Sequence, residues 1–198
     1  MNNFIAKNKS ILLTAAIIIL LAAGYSVYAN YFQKEKLPVF QAVPGFEMND
    51  IYGERVVFAD VKKPKLVYFF YASCADACPI SNHILKLVQE QLKEKHVFGK
   101  KVEMFSITID PVRDTNKVLQ EYAKQFGADK SGWKFLRTET PKEVRDVAKG
   151  FGVEVLNEGG DMLHSDVIFL LDADNHIRKY FLTDKNVDTI VKDTMSLL

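Results

Sequence analysis

The sequence predicts an α/β domain with an N-terminal hairpin, preceded by a single transmembrane helix. Three observations predict it. Nineteen consecutive residues, Ile11 to Ala29, carry no charge. Two continuous apolar runs, KLVYFFY (Lys65 to Tyr71) and VEMFSITID (Val102 to Asp110), read as strands buried on both faces. Helix signals alternate with such runs through the rest of the chain, as they do where helices cover a sheet.

At ~1.5 Å per residue the uncharged stretch spans roughly 28 Å, close to the thickness of a bilayer core. Lys7 and Lys9 precede it and nothing acidic does, so the short tail is expected in the cytoplasm and the domain outside. Tyr25, Tyr28 and Tyr31 gather at the far end, as aromatic residues do at an interface. A cleaved signal peptide is the alternative. Val27-Tyr28-Ala29 would serve as a cleavage site, and the most apolar part, Ile11 to Ala23, is only thirteen residues. No cysteine follows before Cys74, which argues against a lipid anchor. Both readings place the rest of the chain outside the cytoplasm, where thiols tend to be oxidised. The expected division is a cytoplasmic tail (1–9), an anchor (10–30), a linker (31–39) and a folded domain (40–198). The expected location is the cell membrane, crossed once, with the domain on the extracytoplasmic side. Lys+Arg is 26 and Asp+Glu is 25, so no overall field favours nucleic acid.

FEMNDIYGERVVF, Phe46 to Phe58, reads as a hairpin turning at Gly53. After the strand Lys65 to Tyr71 come the two cysteines, then a helix with Pro79 at its first position and Ile80, Ile84, Leu87, Val88 and Leu92 on or near one face. The strand Val102 to Asp110 follows. Asp114 or Thr115 can cap the next helix, whose core face is Val118, Leu119, Tyr122, Ala123 and Phe126. Thr140-Pro141-Lys142-Glu143 is a capping box opening a helix that ends near Gly150. DVIFLLD (Asp166 to Asp172) and IRKYFL form a second hairpin, and Val187, Ile190, Val191 and Thr194 mark the last helix. Strand–helix–strand followed by hairpin–helix is the thioredoxin-like plan, and its site lies where the first core strand meets its helix. Cys74 and Cys78 stand there.

They are the chain's only cysteines, one residue further apart than in a C-x-x-C motif. A structural bridge between them would close a loop of about five residues and contribute only ~2 kcal/mol, little for a staple. Two inert buried thiols fit poorly with a position at a helix N-terminus, where N–H groups and dipole favour thiolate; Cys78 is expected at the N-cap. Two functions remain: a dithiol/disulfide couple, or ligation of a soft metal. Thiolates suit Cu(I), and an added imidazole suits Cu(II). Asp76 between the cysteines opposes thiolate formation but is tolerated beside a bound cation.

Of four histidines, three read as surface residues. His83 lies about 140° round the helix from Cys78, His96 is in a basic loop, and His176 is at a hairpin tip. His164 differs. It follows the glycine-bearing NEGGD, a loop expected to be flexible, and precedes the strand at Asp166. In a thioredoxin-like fold that approach abuts the cysteine site and carries a cis-proline, yet no proline follows Pro141. A histidine there points towards a Cys-Cys-His metal site.

Three blocks in order resemble the Sco family of copper-binding, thioredoxin-like proteins that assemble cytochrome c oxidase. CADACP resembles the family's C-x-x-x-C-P, ITIDPVRDTNKVLQEYAKQFG its D-P-x-R-D-T block and following helix, and LHSDVIFLLDADNHIRKYF the segment with the metal-binding histidine. The similarity covers about residues 40 to 198. It implies Cys74, Cys78 and His164 as ligands of one copper ion, Cu(I) or Cu(II), with Cys74 and Cys78 able to form a disulfide. It implies a copper chaperone, rather than an enzyme, for the dinuclear copper site. The partners would be the oxidase subunit that bears that site and an upstream copper donor or thiol reductant. Ala75 stands where the family has proline, and Tyr71-Ala72-Ser73 where it often has glycine and threonine. These departures leave room for a thiol–disulfide reductase that keeps the subunit's cysteines reduced, or for a redox or copper sensor.

Overall fold

Helix α1, Lys9–Phe32, contains the whole uncharged stretch. Every side chain described along it, from residue 13 to residue 26, is exposed. Among the described residues no helix is long and apolar enough to cross a membrane, so the expected transmembrane span is not supported. The computed structural model describes residues 9–32, 37–75, 77–158, 161–163, 166–182 and 185–198. The expectations for Asp76, for the glycines of NEGGD and for His164 lie outside them.

The chain divides into two units, Met1–Lys36 and Leu37–Leu198. The second is built on a seven-stranded sheet. Its strands are β1 (Glu47–Asp50), β2 (Arg55–Val57), β3 (Lys65–Phe70), β4 (Glu103–Thr108), β5 (Trp133–Arg137), β8 (Ile168–Leu171) and β9 (Ile177–Phe181), in the order β2-β1-β5-β4-β3-β8-β9. The central β3, β4 and β5 run parallel, and the outer pairings are antiparallel. A separate pair, β6 (Leu156–Glu158) and β7 (Asp161–Leu163), lies within the segment read as a loop.

The β1–β2 hairpin turns at Gly53, whose φ of 89° is the left-handed conformation that glycine adopts at least cost. All six residues of β3 are buried, and their alternation divides the core. Leu66, Tyr68 and Phe70 face α2 (Ala77–Glu94), α3 (Asn116–Gln125) and α5 (Val187–Ser196). Val67 and Phe69 face α4 (Pro141–Gly150) and Phe58, in a 3-10 turn after β2. The caps explain where the helices begin. Thr115 accepts from the Val118 amide, Asn186 from the Thr189 amide, and Thr140 with Glu143 forms the complete capping box.

Three features differ from the sequence reading. Strand β5 was not expected; it is short and carries Lys134 and Arg137, yet it joins the hairpin to the parallel strands. Leu37 and Pro38, read as linker, belong to the folded unit, because Arg178 donates to both carbonyls. Val118, expected on the core face of α3, is 40% exposed.

Candidate functional site

The site lies where β3 gives way to α2. Phe70 ends the strand, and its carbonyl accepts from the Ile109 amide, so β3 and β4 stay paired up to the turn. The backbone then bends, with the Cys74 amide donating to the Tyr71 carbonyl at 3.2 Å. A buried carboxylate secures this bend. Asp114, 1% exposed, accepts from the Ala72 amide at 3.0 Å and from the Thr108 hydroxyl. Burial raises its pKa, and those two hydrogen bonds work against the rise. Asp110 folds the preceding turn by pairing with Arg113, and Arg137 holds the Pro111 carbonyl through two bonds. The DPVRDT block therefore does more than cap a helix. Thr115 is the cap, while Asp114 braces the cysteine loop 42 residues away in sequence.

Both cysteines are thiols in the structure. Cys74 is half-buried and Cys78 is fully buried. Cys78 is the second residue of α2, two positions further in than the expected N-cap. This changes which sulfur the helix terminus serves. The Cys78 amide points at Cys74 Sγ, 3.4 Å away, so Cys74 receives the N–H expected to favour thiolate. Burial pushes the Cys78 thiol up to about 12, and its hydrogen bond to Cys74 adds to the rise; the Tyr71 backbone and the Tyr68 hydroxyl oppose it. The pair is thus asymmetric, with one accessible sulfur supported by an amide and one enclosed sulfur that holds its proton.

Side chains from four other segments gather around Cys78 and the first turns of α2. The Tyr68 hydroxyl donates to Asp166 Oδ1 at 3.0 Å, and Ser81 Oγ donates to the same oxygen at 2.9 Å. Lys185 pairs with the other Asp166 oxygen and donates to Ser81 Oγ at 2.7 Å. Asn82 Nδ2 bridges the Cys78 carbonyl and the Tyr122 hydroxyl. None of these roles was read from the sequence. The one available signal was Ser81, a helical turn after Cys78 and on the same face.

His83 and His96 are exposed, and His176 sits beside Asp172 at the β8–β9 turn, as surface histidines do. Among the described residues no three His, Cys, Asp or Glu side chains converge as a metal site. Of the three expected ligands, Cys74 and Cys78 are brought together, and His164 lies outside the described residues.

The SCO1/SenC family model matches residues 35–198, which includes the whole cysteine site. The chain belongs to the SCO1/SenC family. A SCO2-like protein of Rickettsia felis is 33% identical over 159 residues, covering 74% of this chain and 72% of that one. Protein SCO1 homolog 1, mitochondrial, of Arabidopsis thaliana is 30% identical over 144 residues, and this chain spans only 41% of its length. Bradyrhizobium japonicum ScoI, solved with copper bound, superposes with a TM-score of 0.68 at 26% identity, covering 80% of this chain and 100% of that one. The thioredoxin-like Sco fold expected from the order of elements is therefore present. BsSco, a member of the Sco family of cytochrome c oxidase assembly proteins, shares it at a TM-score of 0.72 and 24% identity.

Proposed function

We propose that this chain is a membrane-anchored, extracytoplasmic copper chaperone that helps assemble the dinuclear copper site of cytochrome c oxidase. The observation that carries the reading is the sulfur pair. Two thiols in hydrogen-bond contact at a helix N-terminus are a donor set for a soft cation, and copper is the cargo they suit. Cys74 and Cys78 would supply the thiolates, both releasing their protons to solvent as the ion binds. His164 supplies the imidazole. Asp166, two residues after it, is held by Tyr68 and by Ser81 of the cysteine helix, which supports delivery of that imidazole to the same end of the sheet. The copper-bound structures of Bradyrhizobium japonicum ScoI and of yeast Sco1 support the choice of metal.

The asymmetry of the two thiols also suits a reductase, with Cys74 attacking and Cys78 resolving as the pair closes to a disulfide. His164→Ala separates the two readings. Loss of a ligand is expected to weaken copper binding by at least the ~10–100-fold typical of changes one shell further out, and to abolish oxidase assembly in cells. The Cys74–Cys78 disulfide should still form and be reducible. Anaerobic copper titration beside oxidase rescue measures both. Full rescue by His164→Ala, with no rescue by Cys74→Ala or Cys78→Ala, would replace the chaperone with the reductase.

The anchor is part of the same proposal. Along the described part of α1 the exposed side chains are mainly apolar, Leu13, Ile17, Ile18, Ile19, Leu20 and Leu21 among them, which suits contact with lipid. Lys7 and Lys9 set the orientation. Intact mass of protein extracted from membranes should match the uncleaved chain; a mature form beginning at Asn30 would make the segment a signal peptide.

A further inference from the structure

An open groove of about 310 Å³ lies beside Cys74. Its walls are Pro79 at the start of α2 and Val118, Tyr122 and Phe126 from α3 and its end. Cys74 reaches it and the enclosed Cys78 does not. Among the described residues that line it, Glu121 is the one acidic or basic side chain; Lys117 and Lys124, on the same helix, do not line it. Val118, at 40% exposure, and Ile80, at 62%, extend the apolar surface into solvent from helices that otherwise bury such residues.

We infer that this groove docks an extended peptide segment of the protein partner. The segment would place a cysteine against Cys74, an aliphatic side chain over Val118 and Phe126, and a Lys or Arg towards Glu121. The inference rests on the reading that a partner's cysteines are what this chain serves, and it adds how they are recognised. Cys74 defines the chemistry, because only a thiol, or a metal held by one, has reason to meet it. The charge defines the class. A small anionic thiol would meet Glu121 with like charge and would leave the apolar wall uncovered. A second copy docking through the same groove would bring its own Glu121 towards this one, with the same repulsion. A cysteine peptide with aliphatic and basic neighbours complements every part of the lining.

The test uses the full chain, reduced and in detergent, and two synthetic hexapeptides. Each holds one cysteine activated as its disulfide with thionitrobenzoate. One peptide flanks the cysteine with leucine and lysine, the other with serine and glutamate. The Cys74 thiolate, its proton lost to buffer, attacks the peptide sulfur. The Cys74–peptide bond forms, and thionitrobenzoate leaves with the electron pair of the broken bond and is read by its colour. Each rate is divided by that of 2-hydroxyethyl disulfide with the same protein, so changes in folding or thiol reactivity cancel. The leucine–lysine peptide is expected to react about tenfold faster than the other, equivalent to about 1.4 kcal/mol. Val118→Asp should remove most of that preference, and Glu121→Lys should reverse its charge component. A preference that survives both substitutions overturns the inference, as does equal reactivity of the two peptides in the wild type or failure of Cys74 to react with any probe. Copper titration of His164→Ala reads the chaperone function separately, so the groove can fail while that function stands.

Discussion

Replacing Phe151 with alanine is expected to remove about 3–5 kcal/mol of stability, the range for deleting a large buried aromatic side chain. Phe151 is 2% exposed and closes the end of α4 over the sheet face opposite the cysteines. Its ring centroid lies 5.1 Å from that of Phe69 and 5.3 Å from that of Phe169, both edge-on, with Phe46 and Phe58 at 6.3 and 6.2 Å. Alanine would leave a cavity walled by four rigid rings from separate elements, which cannot collapse together into it. Domains of this size are stable by only about 5–15 kcal/mol, so the loss is a large share of the total. Urea unfolding measures it, and a loss below about 1 kcal/mol would show that the rings repack. Copper affinity of the folded variant should be unchanged, because Cys78 packs in the other cluster, with Tyr68, Phe70 and Tyr122. A variant that lost copper and stability together would mean that the two faces of the sheet are coupled.

The parts of the fold legible in the sequence are those whose signals are local. Strand β3 announces itself because a run apolar on both faces has no other stable place than the middle of a covered sheet. The Thr140–Glu143 capping box and the turn at Gly53 are each complete within a few residues. The cysteines and the start of α2 fall within the same short span. What escaped depends on distant partners. Strand β5 is half polar by sequence, and only its place between β1 and β4 makes it a strand. Asp114 looks like a helix cap until the chain folds and brings Ala72 to it. Tyr68, Ser81, Asp166 and Lys185 come from four segments, and no spacing rule connects them. The helix dipole argument assigned the terminal amides to Cys78, but α2 begins two residues earlier than expected, and the Cys78 amide meets Cys74 instead.

Stability should rise with pH just above pH 8, and Lys65 is the reason. This lysine is fully buried in β3, beneath the last residues of the 3-10 turn. Its ammonium donates to the Val61 carbonyl at 2.7 Å and to the Asn175 side chain, and lies 5.0 Å from the centre of the Phe58 ring. Burial nonetheless lowers its pKa from 10.5 to about 8. Asp172, Glu103 and Asp174 oppose that shift and Lys62 adds to it. Between those two values the unfolded chain holds a proton that the folded chain has released, so raising the pH favours the folded state. Over the whole interval from about 8 to 10.5 the gain would be about 3 kcal/mol. Other groups work against it from pH 9 upward. The Cys78 thiol, raised from 9.0 to about 12, keeps its proton in the folded state after the unfolded chain has lost it, and burial does the same to the Tyr68 and Tyr122 hydroxyls. The wild type should therefore gain between about pH 8 and 9 and then level off or fall. Lys65→Met isolates the lysine. The variant is expected to lose the rise while keeping the decline at higher pH. Where the wild-type lysine has lost its proton, the variant should also be less stable, since the Val61 carbonyl and Asn175 lose their donor, at about 1–3 kcal/mol for each group left buried and unsatisfied. Urea midpoints of both proteins at half-unit steps from pH 7 to 10 are the measurement. Parallel curves would mean that Lys65 stays charged throughout and that Asp172 and Asn175 compensate its burial in full.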